Sequence, residues 1–174
     1  QIEAILRADT GRQIKAVLGT HNETATGVRS DLASIREAID HAGSDALFFV
    51  DGVSSIASMD FQMDEWGIDA AVTGSQKGLM LPAGLSIVAL SEKARDAGQK
   101  AGLPRFFFDC EIMGAMTDVG GFPYTPPMQL LAGLSHSLEL LLDEGLDAVF
   151  SRHFKMAEGV RQATAAWGLR LCCR

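Results

Sequence analysis

Apolar positions along this chain follow two regimes. Up to about residue 90 they come as short runs separated by polar segments, and from residue 128 they recur at helical spacing. The first pattern predicts strands linked by helices or turns, the second long amphipathic helices. Ile2, Ile5 and Leu6 give residues 1–7 helical spacing. Residues 15–19 (Lys-Ala-Val-Leu-Gly) form an apolar run closed by glycine, a strand signal. Ser30 and Asp31 open a helix, with Ser30 as the cap and Asp31 at the positive end of its dipole. Leu32, Ile35 and Ile39 share one face of that helix, and Gly43-Ser44 ends it. Residues 46–50 (Ala-Leu-Phe-Phe-Val) are continuously apolar, as in a strand buried on both faces. A short amphipathic turn or helix is expected over 59–66, with strands at 70–73 and 85–90 and a helix over 91–101. Residues 103–127 are rich in glycine, proline and aromatics and read as ordered loop. Long helices follow over 128–142 and 146–167, and 168–174 reads as the start of a strand. Strands separated by helical stretches predict an α/β fold around a mainly parallel sheet.

Composition narrows the functional classes. The 174 residues carry a formal charge of −7, which argues against a nucleic-acid binder, because phosphate needs a basic face. No apolar run approaches the roughly 18–20 residues that span a bilayer. The three cysteines, Cys110, Cys172 and Cys173, offer neither a disulfide framework nor zinc spacing, so a reduced, cytoplasmic compartment is expected. The chain opens inside a helix and closes inside a strand, the pattern expected of a piece of a longer protein.

In open α/β sheets ligands bind beyond the carboxyl ends of the strands. Three such ends are polar and built of small residues: 19–24, 50–55 and 73–78. Asp51 closes the most apolar run, where a carboxylate is costly unless it meets a cation or donors. A local turn toward Gly52 and Val53 is the structural alternative. Lys77 lies between Gly74 and Gly78 and precedes an uncharged run, 79–85. A solvated surface charge is one reading of it. The other is a lysine kept in apolar surroundings, where the amine loses its proton readily and forms an imine. The glycine spacing is not that of a phosphate loop. His21 is open to several roles: metal ligand, base or aromatic platform. His41, His136 and His153 fall on expected helices, where partly exposed side chains are the plain reading, and no metal-ligand set is visible. Asp51 and Lys77 stand 26 positions apart at the ends of two strands. A buried carboxylate and a buried lysine on one rim suit pyridoxal 5′-phosphate: the carboxylate pairs with the ring nitrogen and the lysine binds the aldehyde. A structural ion pair would use the same two residues. Thr24, Ser75 and Gln76 add donors for a phosphate or ring hydroxyl.

At these residues the chain resembles the class V (fold type I) pyridoxal-phosphate aminotransferases, with most likeness to the serine–glyoxylate and alanine–glyoxylate members. The motifs are Thr-His-Asn-Glu-Thr-Ala-Thr-Gly at 20–27, Val-Asp-Gly-Val-Ser-Ser at 50–55, and Thr-Gly-Ser-Gln-Lys-Gly-Leu-Met-Leu-Pro-Ala-Gly-Leu at 73–85. Phe-Pro-Tyr-Thr-Pro-Pro at 122–127 precedes a leucine-rich helix. The likeness runs from about Leu18 to Gly168, and the motifs in this order are specific to the family.

The resemblance implies that residues 1–127 are part of the cofactor-binding large domain and that 128–174 are connecting helices toward a C-terminal small domain. It implies that Lys77 binds the cofactor covalently and moves the substrate Cα proton, and that Asp51 pairs with the ring nitrogen. Val53 packs on the ring, Thr24 lies near the ring hydroxyl, and Gln76 contacts the phosphate. Thr125 reaches the phosphate in a partner subunit's site, making the enzyme a homodimer. Phe122 stands where some relatives have a tyrosine, so one hydroxyl is missing. The implied reaction passes the amino group of serine or alanine to glyoxylate, giving glycine and hydroxypyruvate or pyruvate. A cysteine desulfurase-like lyase is one alternative, but Gln76 replaces the histidine expected before the lysine. A catalytically incomplete, dimerising fragment is the other. Family members supply a ring-stacking aromatic and a phosphate loop upstream and a carboxylate-binding arginine downstream, so the chain alone is expected to be nearly inactive.

Overall fold

Apolar runs that end in polar residues become strands whose carboxyl ends meet on one rim. In the computed structural model, which describes residues 1–171, these strands are β1 (Ala16–Thr20), β2 (Leu47–Asp51) and β3 (Ala70–Gly74). The fourth, β4 (Ser86–Leu90), completes a sheet in the order β1-β2-β3-β4. The first three are parallel, with Thr20 opposite Asp51 and Asp51 opposite Val72, while β4 runs antiparallel to β3. The expected mainly parallel sheet is therefore present, and the shared register draws the strand ends together.

Helix α1 (Ile2–Ala8) and helix α2 (Leu32–His41) supply the apolar cover of one sheet face. Leu6, Leu32 and Ile39 pack with Phe48, Val50, Ile68 and Ala71 in the main core. Each large side chain buried there contributes about 1.5–3 kcal/mol. The cap of α2 is Asp31 rather than Ser30: its carboxylate accepts from the Ser34 N–H at 3.0 Å and the Ser34 hydroxyl at 2.8 Å. Strand β2 is buried on one face, not two. Phe48 and Val50 point into the core, whereas Leu47 and Phe49 alternate onto the half-buried face, beside Leu18 and Val88, which are exposed.

No helix forms over residues 59–66; a turn covers 63–67. Ile68 N–H donates back to Met63 O at 3.0 Å across Gly67, whose φ of +54° stops helical propagation. Helix α3 (Glu92–Gln99) is capped by Ser91. The segment expected to be loop contains a helix, α4 (Cys110–Asp118), started by the Asp109 carboxylate, which accepts from Glu111 N–H at 3.0 Å. Helices α5 (Met128–Glu144) and α6 (Leu146–Ala166) turn on Gly145, with φ +83°. Residues 168–171 carry no strand, and the remainder of the strand expected over 168–174, with Cys172 and Cys173, lies outside the described residues. A second core of Leu79, Leu141 and Val149 packs the connection between β3 and β4 against α5 and α6. No helix among the described residues is long and apolar enough to cross a membrane.

Candidate active site

The β3–β4 connection, residues 75–85, is held from inside by one serine. Ser75 is fully buried; its N–H donates to Leu85 O at 3.1 Å, and its carbonyl accepts from Leu81 N–H at 3.0 Å. Its hydroxyl donates to Pro82 O at 2.7 Å and accepts from Leu85 N–H at 3.1 Å. Ser137 of α5 adds a hydroxyl bond to Leu79 O at 2.5 Å. Lys77 begins a turn closed by Met80 N–H donating to Lys77 O at 2.9 Å. Gly78 lets this turn approach its neighbour. A Cβ there would stand 2.3 Å from Ile56 O, so only glycine fits.

At the end of β2 the Asp51 carboxylate accepts from Val53 N–H at 2.9 Å, an Asx turn that points 51–55 away from the sheet. Asp51 O accepts from His21 N–H at 2.9 Å, and Gly52 N–H donates to Val72 O at 2.9 Å, tying the three strand ends. Thr24 and Ser54 share a hydroxyl–hydroxyl bond of 2.6 Å across two of them. Lys77, Asp51, Val53 and Thr24 line one open cavity of about 300 Å³, together with Asn22 and Ser54. Four of the six residues singled out by sequence thus converge.

Gln76 and Thr125 do not line this cavity. Gln76 is exposed and folds back on its own loop: its Oε1 lies 2.8 Å from where a Cβ on Gly74 would be. Thr125 is exposed in the segment leading to α5. The expected burial of Asp51 and Lys77 is corrected, since both side chains are exposed at the cavity. The apolar run preceding Asp51 buries the strand and not its terminal residue. The uncharged run following Lys77 sends Leu79 and Leu81 toward α5 and α6 instead of around the amine.

His21 is 3% exposed and sits between Phe61 and Trp66, with ring centroids 5.7 and 5.6 Å away. Its Nδ1 is buried with no hydrogen-bond partner among the described residues. Of the readings open from sequence, the aromatic one describes its surroundings. Burial, and then the charge of Arg29, hold its pKa below the ordinary imidazole value, with Asp60 opposing. The unfolded chain therefore binds a proton on His21 before the folded chain does, and stability falls as pH drops below about 6.5. Above that pH the contribution is fully present. The melting temperature should decline on acidification through this window, and His21→Phe, which keeps the aromatic packing, should flatten that part of the profile.

His153, read from sequence as a partly exposed helical side chain with no assigned role, is half-buried on α6. Helix α6 brings it to an adjoining cavity of about 390 Å³, shared with Lys77, Gly78, Asn22, Thr24 and Ser54. The signal available was its place one helical turn after Val149.

The family model for aminotransferase class V matches residues 2–167. The chain is 59% identical over 172 residues to the L-aspartate–glyoxylate aminotransferase of Paracoccus denitrificans, covering 99% of this chain and 43% of that protein. It is 52% identical over 179 residues to the serine–glyoxylate aminotransferase of Methylorubrum extorquens, covering 100% of this chain and 44% of the relative. The structure of ureidoglycine–glyoxylate aminotransferase from Bacillus subtilis superposes with a TM-score of 0.80 at 31% identity, covering 98% of this chain and 44% of that one. The chain thus spans less than half the length of these relatives.

Proposed function

This chain belongs to the class-V aminotransferase family, and on that premise we propose that it forms the central part of a pyridoxal 5′-phosphate site that passes an amino group to glyoxylate. The observation carrying this reading is the convergence of Lys77 and Asp51, from two different strand ends, on one cavity of about 300 Å³. Its donor set suits the cofactor: an amine for the aldehyde, a carboxylate for the ring nitrogen, an apolar Val53, and the paired hydroxyls of Thr24 and Ser54. When bound, the cofactor supplies an electron sink for the pair left by Cα deprotonation.

Lys77 would hold the cofactor through its amine and, as the free amine, would take up and hand back the Cα proton of the amino acid. Asp51 keeps the ring nitrogen protonated through a charge-assisted hydrogen bond. Val53 contributes apolar contact, Thr24 a hydrogen bond to the ring hydroxyl, and Gln76 a phosphate contact. Thr125 serves the phosphate of a partner subunit, in a homodimer. Exposed Phe106, Phe108 and Phe122 in the same segment supply apolar surface for such a contact. Residues 1–127 belong to the large domain, and α5 and α6 lead toward a small domain. A reduced, cytoplasmic setting fits the cysteine usage.

Glyoxylate appears in the names of all three relatives above, which supports it as the acceptor. Serine is the proposed donor, giving hydroxypyruvate, with alanine as the second choice. The protein carrying this chain, supplied with the cofactor, L-serine and glyoxylate, should absorb in the visible and form glycine and hydroxypyruvate in equal amounts. Absence of both band and products would overturn the proposal. The 174-residue chain by itself should turn over far more slowly, because positioning by remote contacts contributes roughly 7–11 kcal/mol of barrier lowering.

A further inference from the structure

Helix α6 is fixed in rotation by Val149, which is fully buried in a cluster with Leu141 of α5 and Leu79, two residues from Lys77. His153 lies one turn later on the same face, so the packing that seats Val149 also sets where the ring stands relative to Lys77. The ring is half-buried and lines the cavity that Lys77, Asn22, Thr24 and Ser54 share. Its Nδ1 lies 2.9 Å from Val149 O. A carbonyl only accepts, so Nδ1 carries the hydrogen, and a neutral ring then holds Nε2 as a bare acceptor.

We propose that His153 is a specificity-determining residue whose Nε2 accepts a hydrogen bond from a donor on the substrate side chain, the hydroxyl in the case of serine. The inference rests on the aminotransferase reading above. The reacting amine of an amino acid has to meet the position that Lys77 occupies. A group contributed by a different element of the same cavity is left to meet what the amino acid carries beyond Cα. Asn22, Thr24 and Ser54 can each donate or accept, whereas His153 in this tautomer can only accept at Nε2, so it is the group in this cavity that requires a donor.

Two measurements test this. In the chain itself, long-range 15N spectra at about pH 8 should show His153 as the Nδ1–H tautomer; the Nε2–H tautomer would overturn the proposal. In the protein carrying this chain, His153→Gln places an amide oxygen near the Nε2 position, whereas His153→Asn reaches only the Nδ1 position. His153→Asn should raise KM for L-serine about tenfold, the loss of one hydrogen bond, with kcat and the L-alanine constants little changed. His153→Gln should stay within about threefold of the unsubstituted protein for both substrates. If Asn is tolerated and Gln is not, the ring serves only its bond to Val149, and the proposal fails. Equal losses for serine and alanine overturn it too. Failure of the unsubstituted protein to transaminate serine overturns the functional reading and this inference with it. Normal transamination with no serine-selective effect overturns this inference alone.

Discussion

Lys77→Ala is expected to abolish both the covalent attachment of the cofactor and turnover, the latter by a factor on the order of 10⁴ or more, the upper end of what a positioned acid–base group contributes. The effect is large because, on the proposed reading, one amine serves two tasks: it holds the cofactor at rest and moves the Cα proton in the reaction. Stability should change little, since the Lys77 side chain is exposed and the connection is held by Ser75 and Ser137. Borohydride reduction of the loaded, unsubstituted protein should fix the cofactor to the peptide that contains Lys77. Lys93 is the instructive control. Its amine lies 3.5 Å from the Asp69 carboxylate and donates to Ala46 O at 3.3 Å, so it already has an anionic partner away from the cavity. Recovery of the label on Lys93 or Lys100 would remove Lys77 from its proposed role.

Asp51→Asn separates the turn bond that the carboxylate makes to Val53 N–H from its proposed pairing with the ring nitrogen. The Asn side-chain oxygen can still accept from Val53 N–H, so the turn at 51–53 and the melting temperature should be preserved. The negative charge proposed to face the ring nitrogen is lost, and turnover should fall on the order of 10²-fold or more. Asp51→Ala removes both and should also lower stability, by about 1 kcal/mol for the lost turn bond. Steady-state rates and thermal melts on the two variants decide the matter. Near-normal turnover for Asp51→Asn would reduce Asp51 to a turn-forming residue.

The strands, the long helices and the rim were legible because each rests on a local pattern. An apolar run followed by small polar residues marked the ends of β1, β2 and β3, and helical spacing marked α5 and α6. Helix α4 escaped notice because the glycines, prolines and aromatics around it carry a loop signal, although Asp109 two residues before Glu111 is an ordinary helix start. The segment 59–66 has helix-like apolar spacing, and Gly67 in the left-handed region overrules it.

By itself the sequence determined which residue types stand at the strand ends, and therefore which chemistry the rim can carry, since composition and spacing are properties of the chain alone. Only the tertiary structure decided which of them meet. The parallel register of β1, β2 and β3 brings Thr24, Asp51, Val53 and Lys77 to one cavity, and the same packing leaves Gln76 and Thr125 outside it. Exposure was likewise a tertiary outcome. An apolar run dictates that a strand is buried, but the residue at its end is buried only if another element covers the rim. His153 makes the point most directly: its helix is legible from spacing, while its place in a cavity with Lys77 follows from Val149 entering a buried cluster with Leu141 and Leu79, the last 70 positions away in the chain. Side-chain packing between distant segments has no counterpart in local sequence pattern, and it is what joins α6 to the site.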